Sequence, residues 1–433
     1  MIVRLVYTLG VRLYALGVRL AALFGNAKAK LWVEGRKSQG SLRPVEGSKG
    51  PTDQWIWFHA ASLGEFEQGR PVIEALKQSH PEFKILLSFF SPSGYEIRKN
   101  YPLADEVVYL PTDTPQHARQ WVQSRHFVAA FFIKYEFWFN YMQALERADI
   151  PLFYISLILK PDSYFFRWYG SWFRKQLRSV RHFFVQDEVT AQLLKAHGMD
   201  NVTVCGDTRF DRVAAIAEQA KPFPEIERFV AGRQCIIAGS TWPPDEKLLA
   251  AFLSTLPEGY CMLIAPHDIS AAHLAQIKAM LPEAQLYTDL CAEVSRPCHT
   301  EAQPSVSMGV KPTKNILVIN TIGILSQLYQ YARFVYIGGG FGVNIHNIQE
   351  PVTFGCPVVF GPRYKSFKEA VDLVALQGAF PVHDADELRS VFDRLMSDDG
   401  FHDAASKACS DYLKSQVGAT KTIIKGFEQA FFL

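Results

Sequence analysis

The residues best suited to chemistry begin at Glu65. It stands in "HAASLGEFEQGRP" (59–71), directly after the apolar run 55–58, where bulky residues give way to small ones before a carboxylate. Two readings fit this placement. Ser62 followed three residues later by Glu65 has the capping-box spacing, in which the carboxylate bonds the Ser62 amide at a helix start. A carboxylate at a helix N-terminus is also kept ionised by the helix dipole and can act as a general base. A second carboxylate, Glu136 in "IKYEFWFN" (133–140), follows another strongly apolar run. An unpartnered buried charge is expensive, so Glu136 is expected at the exposed end of that run or beside a cation. "CGDTRFDRV" (205–213) brings Arg209 to the end of a further run, and a Glu136–Arg209 pair is geometrically reasonable.

The second half of the chain offers binding rather than proton-transfer groups. In "YIGGGFGVNIHNIQEP" (336–351) an apolar run enters three glycines and Gly342, with a helix start expected at about Asn347. Glycines let backbone N–H groups approach a ligand, and a helix start favours an anion, although the order does not match a dinucleotide fingerprint. Glu350 suits either two ribose hydroxyls or a capping role after Asn347. "TIGILSQLY" (321–329) offers another helix start with Thr321 as cap, and "IAPHD" (264–268) ends a run at Pro266 and His267. Asp384, Asp386, Asp398 and Asp399 lie in polar segments and read as solvated surface. No metal-ligand cluster is evident, so metal-independent chemistry is expected.

The elements that must position these groups follow from periodicity. Short β-rich runs at 55–60, 84–90, 106–110, 127–134, 152–156, 182–185 and 202–205 alternate with polar helical stretches. The alternation breaks in the proline- and charge-rich 217–234 and restarts at 235–240, 260–266, 316–320, 334–340 and 356–361. This pattern predicts an α/β chain with two doubly wound parallel sheets facing across a cleft, ligands lying beyond the carboxyl ends of the strands. The expected division is a basic segment 1–37, a first domain 38–220 and a second domain 221–433. The stretch 291–315 reads as a long exposed loop.

Charge is uneven along the 433 residues. Residues 1–37 hold seven Lys or Arg against Glu34, a charge of +6 that leaves −4 on the remainder of a chain whose total is +2. That distribution argues against a broad nucleic-acid surface and for an anionic partner met at one end. Arg4, Arg12 and Arg19 interrupt the apolar run "MIVRLVYTLGVRLYALGVRLAALFG" and fall within about 80° of one another on a helix. An interfacial helix on an anionic leaflet has this distribution; a core helix with its arginines in water is the alternative. "SYFFRWYGSWFRKQLRSVRHFF" (163–184) mixes aromatic and basic residues and suits lipid contact, single-stranded nucleic acid or an ordinary amphipathic helix. The seven cysteines are scattered without a C-x-x-C pair, which fits a reducing compartment.

Taken in order, "HAASLGEFE", "KYEFWFN", "GDTRFD", "AGSTWPPDE", "APHD", "GGGFG" and "HNIQEP" resemble the 3-deoxy-D-manno-octulosonic acid (Kdo) transferases of Gram-negative lipopolysaccharide synthesis. The likeness extends beyond "FGPRYKSFKEA" (360–370). It implies the two-domain GT-B glycosyltransferase fold, CMP-Kdo as donor with no separate cofactor, and a lipid A precursor (lipid IVA) as acceptor. The expected location is the cytoplasmic face of the inner membrane, with inversion at the anomeric carbon. By position, Glu65 looks like the family's general base, and Glu136 and Arg209 like its transition-state-stabilising pair. CMP contacts would fall on Pro266 and His267, on Ile322, Gly323 and Ile324, and on Asn347, Ile348, Gln349 and Glu350. Arg209 stands where many relatives have Lys, Phe139 replaces a common Pro, and "SLILKPDS" (156–163) differs from the usual segment. The alternatives are a non-catalytic nucleotide-sugar-binding membrane protein, or a GT-B transferase or epimerase using a UDP-sugar.

Overall fold

A computed structural model describes residues 2–39, 53–294 and 315–432. The chain divides into two compact units, Met1–Asp211 with Gln416–Leu433, and Arg212–Ser415.

The first unit is built on seven parallel strands: β1 (Trp55–Ala60), β2 (Lys84–Phe89), β3 (Glu106–Tyr109), β4 (Phe127–Ile133), β5 (Leu152–Leu157), β6 (His182–Val185) and β7 (Val202–Val204). Their order is β3-β2-β1-β4-β5-β6-β7, so the winding reverses between β1 and β4, where open α/β sheets bind ligands. The strands read as near-continuous apolar runs because both sheet faces are covered. Trp57, Phe132 and Tyr154 pack into the core on one face, and Phe58, Phe131 and Phe153 into the core on the other.

The second unit repeats the plan with β8 (Gln234–Thr241), β9 (Tyr260–Pro266), β10 (Gln285–Leu286), β11 (Ile316–Val318), β12 (Ala332–Ile337), β13 (Val358–Phe360) and β14 (Ala379–Pro381). Its order, β10-β11-β9-β8-β12-β13-β14, reverses between β8 and β12. All twelve expected strands are present. The two that sequence periodicity misses, β10 and β14, are edge strands of two and three residues, too short to show a period.

The expected domain limits need correction at the C-terminus. Residues 416–433 belong to the first unit rather than the second. In the helix Ala419–Phe432, Ile423 and Phe427 are fully buried, and the Phe427 ring lies 5.3 Å from Phe131 and 5.5 Å from Phe153. Asp211 fixes the return by accepting hydrogen bonds from the Gly418 and Thr420 amides. The boundary therefore falls at 211/212, ahead of the proline-rich stretch. Of the expected loop 291–315, residues 291–294 end a helix, Tyr287–Val294, and 295–314 lie outside the described residues.

The helices of the first unit that matter here are α1 (Ile2–Leu23), α2 (Ala27–Ser38), α3 (Leu63–Ser79), α4 (Pro92–Arg98), α5 (Pro115–Gln123), α6 (Phe139–Arg147) and α7 (Ser171–Leu177). The basic N-terminal segment is two helices, broken where Gly25 takes φ +94° and Asn26 caps the Ala29 amide at 3.0 Å. Helix α1 buries only a seam of small residues, Thr8, Ala15 and Ala22, seven apart. Its large residues point outwards: Ile2 is 75% exposed, Leu5 63%, Leu13 58%. A core helix buries its leucines, so that alternative fails for α1. Tyr7 anchors the helix by donating to the buried carboxylate of Asp113 at 2.6 Å, and its ring packs edge-on to Phe139.

The aromatic stretch 163–184 divides its labour. Phe165 is buried and Trp172 and Phe173 pack on the core, while Trp168 is 92% exposed in the turn before α7.

Candidate functional site

In the first unit the candidate residues sit beyond the carboxyl ends of the strands. Strand β1 ends at Ala60, and Ser62 turns extended backbone into α3 with Glu65 in its first turn. The Glu65 carboxylate accepts from the Ala61 amide at 2.6 Å and the Ser62 amide at 3.2 Å. The capping geometry is therefore present, and it fixes where the carboxylate points. Burial lifts the Glu65 pKa to about 7, with the charge of Glu136 adding to the rise and the two amides and Lys134 opposing it. A carboxyl group that titrates near neutrality is suited to taking and returning a proton.

Glu136 follows β4 after a sharp turn at Lys134, whose φ of +64° is strained for a residue with a side chain. The expected pairing of Glu136 with Arg209 is not what the structure shows. Glu136 is buried, and its Oε2 lies 2.9 Å from His59 Nε2 and accepts from Trp138 Nε1 at 2.6 Å. On the far side of the imidazole, His59 Nδ1 faces the Ser88 carbonyl at 3.1 Å and the Ser88 hydroxyl at 2.8 Å. Arg209 instead grips Asp207 through Nε at 2.9 Å and Nη2 at 2.6 Å. Asp207 in turn meets the side-chain amide of Gln68, one turn beyond Glu65 on α3. A buried side chain satisfies a carboxylate where the sequence suggested a distant cation.

His59, Trp138, Asp207 and Gln68 were not singled out from sequence. A signal existed for His59: an imidazole inside a fully buried strand must find polar partners.

In the second unit, β9 ends at Pro266 and the exposed His267 follows. Trp242 and His346 lie nearly coplanar, joined by a Trp242 Nε1 donation to His346 Nε2 at 2.8 Å. The His267 ring stacks on both, 4.6 Å from each centroid. This three-ring cluster stands at the carboxyl ends of β8 and β9 beside the glycine turn after β12. Accepting from Trp242 requires His346 to be bare at Nε2, and burial with the nearby His267 lowers its pKa.

The glycines serve packing more than ligand contact. A Cβ on Gly338 would lie 2.3 Å from the Ser240 carbonyl oxygen, and one on Gly340 2.7 Å from the Gly361 backbone. The Gly338, Gly339 and Gly342 amides bond to Gly239, Asp245 and Gly339. Those three amides are spent within the protein, which corrects their reading as ligand donors. Asp245 is buried and also accepts from the Trp242 amide and Tyr336 hydroxyl. Asp245→Ala orphans all three donors, so it should lower unfolding free energy by about 3 kcal/mol in urea titrations. A loss under about 1 kcal/mol would contradict this account of the turn.

The two expected helix starts are shorter than anticipated. The helix after Ile322 and Gly323 spans only Leu325–Leu328, with Ile324 at its cap in place of Thr321. The other spans Gln349–Thr353 after Ile348, and Asn347 Oδ1 accepts from the Gln349 amide at 2.9 Å. Neither is long enough to supply a substantial dipole. Ile322 is exposed and Gly323 takes φ +93°. Asn347 Nδ2 donates to Glu350 at 3.3 Å, and burial raises the Glu350 pKa while Arg212 opposes the rise. Asp384 and Asp398 cap the amides of Glu387 and Phe401, as solvated helix starts do. Among the described residues no three His, Cys, Asp or Glu side chains surround a common point.

Residues 27–212 match the family described as 3-deoxy-D-manno-octulosonic-acid transferase (kdotransferase). The chain is 24% identical over 350 residues to the 3-deoxy-D-manno-octulosonic acid transferase of Aquifex aeolicus, covering 79% of this chain and 86% of that one. It is 24% identical over 394 residues to the Bordetella pertussis enzyme of the same name, covering 86% of each. In structure it is similar to the UDP-GlcNAc 2-epimerase of Neisseria meningitidis, with a TM-score of 0.59 at 14% identity over 87% of this chain and all of that one. That likeness shows a shared two-unit fold and nothing of substrate. Two Rossmann-like units of this topology, the match across the first of them and relatives aligned over most of the length agree: the chain is similar to the 3-deoxy-D-manno-octulosonic-acid transferases, a family of glycosyltransferases.

Proposed function

We propose that this chain moves Kdo from CMP-Kdo to a lipid A precursor such as lipid IVA, inverting the anomeric carbon, with Glu65 as general base. The observation that carries the proposal is the Glu65 carboxyl group, fixed by two amides at a helix start and lifted to a pKa of about 7 by burial. In the proposed step an acceptor hydroxyl oxygen bonds to the Kdo anomeric carbon as the carbon–oxygen bond to CMP breaks. The hydroxyl proton passes to Glu65, and CMP departs with the bonding electrons. The reacting centre resembles an oxocarbenium ion, for which a carboxylate is a sufficient base. Glu136 and Arg209 are assigned to stabilising the charge that develops. CMP recognition is assigned to Pro266 and His267, to 322–324 and to 347–350, and needs no cofactor.

Incubation with CMP-Kdo and lipid IVA, followed by mass spectrometry, tests the reading and counts the sugars added. No Kdo-bearing product would overturn it. A thermal-shift comparison of CMP, UMP and UDP separates donors: CMP is expected to stabilise, and a preference for UDP would favour the UDP-sugar alternative.

The same proposal places the enzyme on the cytoplasmic face of an anionic inner membrane, with α1 lying in the interface. Support comes from the outward leucines of α1, its length of 22 residues and the exposed Trp168. Deleting residues 2–25 should release the protein from vesicles rich in phosphatidylglycerol. Undiminished sedimentation of the deleted protein with those vesicles would refute the anchor.

A further inference from the structure

We propose that Arg4, Arg119 and Arg147 form a binding site for the phosphate of an anionic glycerophospholipid, distinct from the Glu65 site. The three guanidinium-bearing side chains line one cavity of about 230 Å³ where the first turn of α1 meets α5 and α6. Asn140 and Gln123 are the other polar groups around it, and no carboxylate lines it. None of Glu65, Glu136 and Arg209 contributes.

Like charges gather at a cost unless an anion joins them. Among the described residues, Arg119 and Arg147 make no hydrogen bond and no ion pair. Arg4 is held in place by donating Nε to Asn140 Oδ1 at 3.1 Å, and Asn140 is tied to the Asp113 carbonyl at 2.9 Å and the Thr8 hydroxyl at 3.3 Å. Arg4 therefore cannot easily swing away from the others. Burial, then the charge of Arg147, lowers its pKa, with Arg119 acting in the same direction and Asp113 against it. The nearby carboxylate of Asp113 accepts from Tyr7 and the amides of Asn140 and Tyr141, and among the described residues it makes no ion pair with any of the three arginines.

A phosphate satisfies planar guanidinium donors better than any group present. Its source is indicated by what flanks Arg4. Ile2 and Leu5 are 75% and 63% exposed on the same turn of α1, and Leu9 continues the apolar face at 57%. A phosphodiester in the cavity would lay its acyl chains along that face, as an interfacial helix requires. This inference rests on the proposed membrane association of α1.

The test uses the full chain in detergent micelles with phosphatidylglycerol or phosphatidylcholine, read by native mass spectrometry, beside vesicle sedimentation. The wild type is expected to retain one phosphatidylglycerol in preference to phosphatidylcholine. Arg119→Gln with Arg147→Gln should weaken retention roughly 10- to 30-fold, while the lipid-free protein unfolds at a temperature no lower than the wild type's. Equal retention by both proteins overturns the site even if both sediment with vesicles. Failure of the wild type to sediment with any vesicle overturns the membrane reading on which it rests. Inorganic phosphate is the remaining arm: arginine-dependent stabilisation by it, with equal lipid retention, overturns the lipid source in favour of a soluble phosphate ester.

Discussion

Glu65→Gln is expected to reduce Kdo transfer by about 100- to 10,000-fold, the range supplied by general base catalysis, while leaving the fold and CMP binding intact. Glutamine keeps the acceptor oxygen that the Ala61 and Ser62 amides use, so the start of α3 survives the change. What disappears is the group that takes the acceptor's proton. In the wild type, transfer should rise with pH through about 7 as Glu65 ionises. Stability should move the other way. The folded Glu65 holds its proton to higher pH than the unfolded chain does, so ionisation begins to cost stability above about pH 4.5 and the cost is complete above about 7. Glu65→Gln should therefore unfold at a higher temperature than the wild type at pH 8 and at a similar one near pH 4.5. Near-normal transfer by this variant would sink the assignment; lost transfer without the pH-dependent gain in stability would show that the carboxylate is not held as described.

Much of this arrangement was legible before the structure, and the boundary of legibility has physical causes. The strands were visible because two-sided burial forces unbroken apolar runs, and the capping spacing of Ser62 and Glu65 is purely local. Edge strands of two or three residues leave no such run. The return of residues 416–433 depends on Phe427 meeting Phe131 and Phe153, contacts between residues far apart in sequence that periodicity cannot report. The glycine turn looked like a ligand cradle because spacing reveals freedom of backbone but not which partner uses it; Gly338 and Gly340 use theirs to approach backbone. The choice of Arg209 as partner for Glu136 followed opposite charge and missed a neutral-looking solution, an imidazole two strand residues before the turn that carries Glu65. For α1 the composition left membrane and core readings open. The burial of Thr8, Ala15 and Ala22 in place of the leucines decides against the core.

The substitution Glu136→Gln separates the two carboxylates. His59 Nδ1 lies 3.1 Å from the Ser88 carbonyl and 2.8 Å from the Ser88 hydroxyl, which fixes the ring's orientation. Nε2 then faces Glu136 Oε2 at 2.9 Å, and that contact is a hydrogen bond only if one proton lies between them. Trp138 Nε1 donates to the same oxygen at 2.6 Å and lies 2.9 Å from His59 Nε2, so the three side chains hold one another in place. His59 is thus a positioning residue that holds Glu136 at the turn after β4. Glutamine can still accept from Trp138 and His59 but carries no charge, so the turn should persist while stabilisation of developing charge is lost. Transfer should fall by about 100-fold or more. Because the charge of Glu136 helps raise the Glu65 pKa, the rise of activity with pH should also move to lower pH in this variant. A merely structural role for Glu136 would lower the yield of folded protein without moving that profile. An unchanged rate, or an unchanged profile in the correctly folded variant, would refute the coupling of Glu136 to Glu65. His59→Gln supplies the companion measurement: it removes the imidazole contact while sparing Glu136, and transfer should fall if the imidazole holds that carboxylate in position.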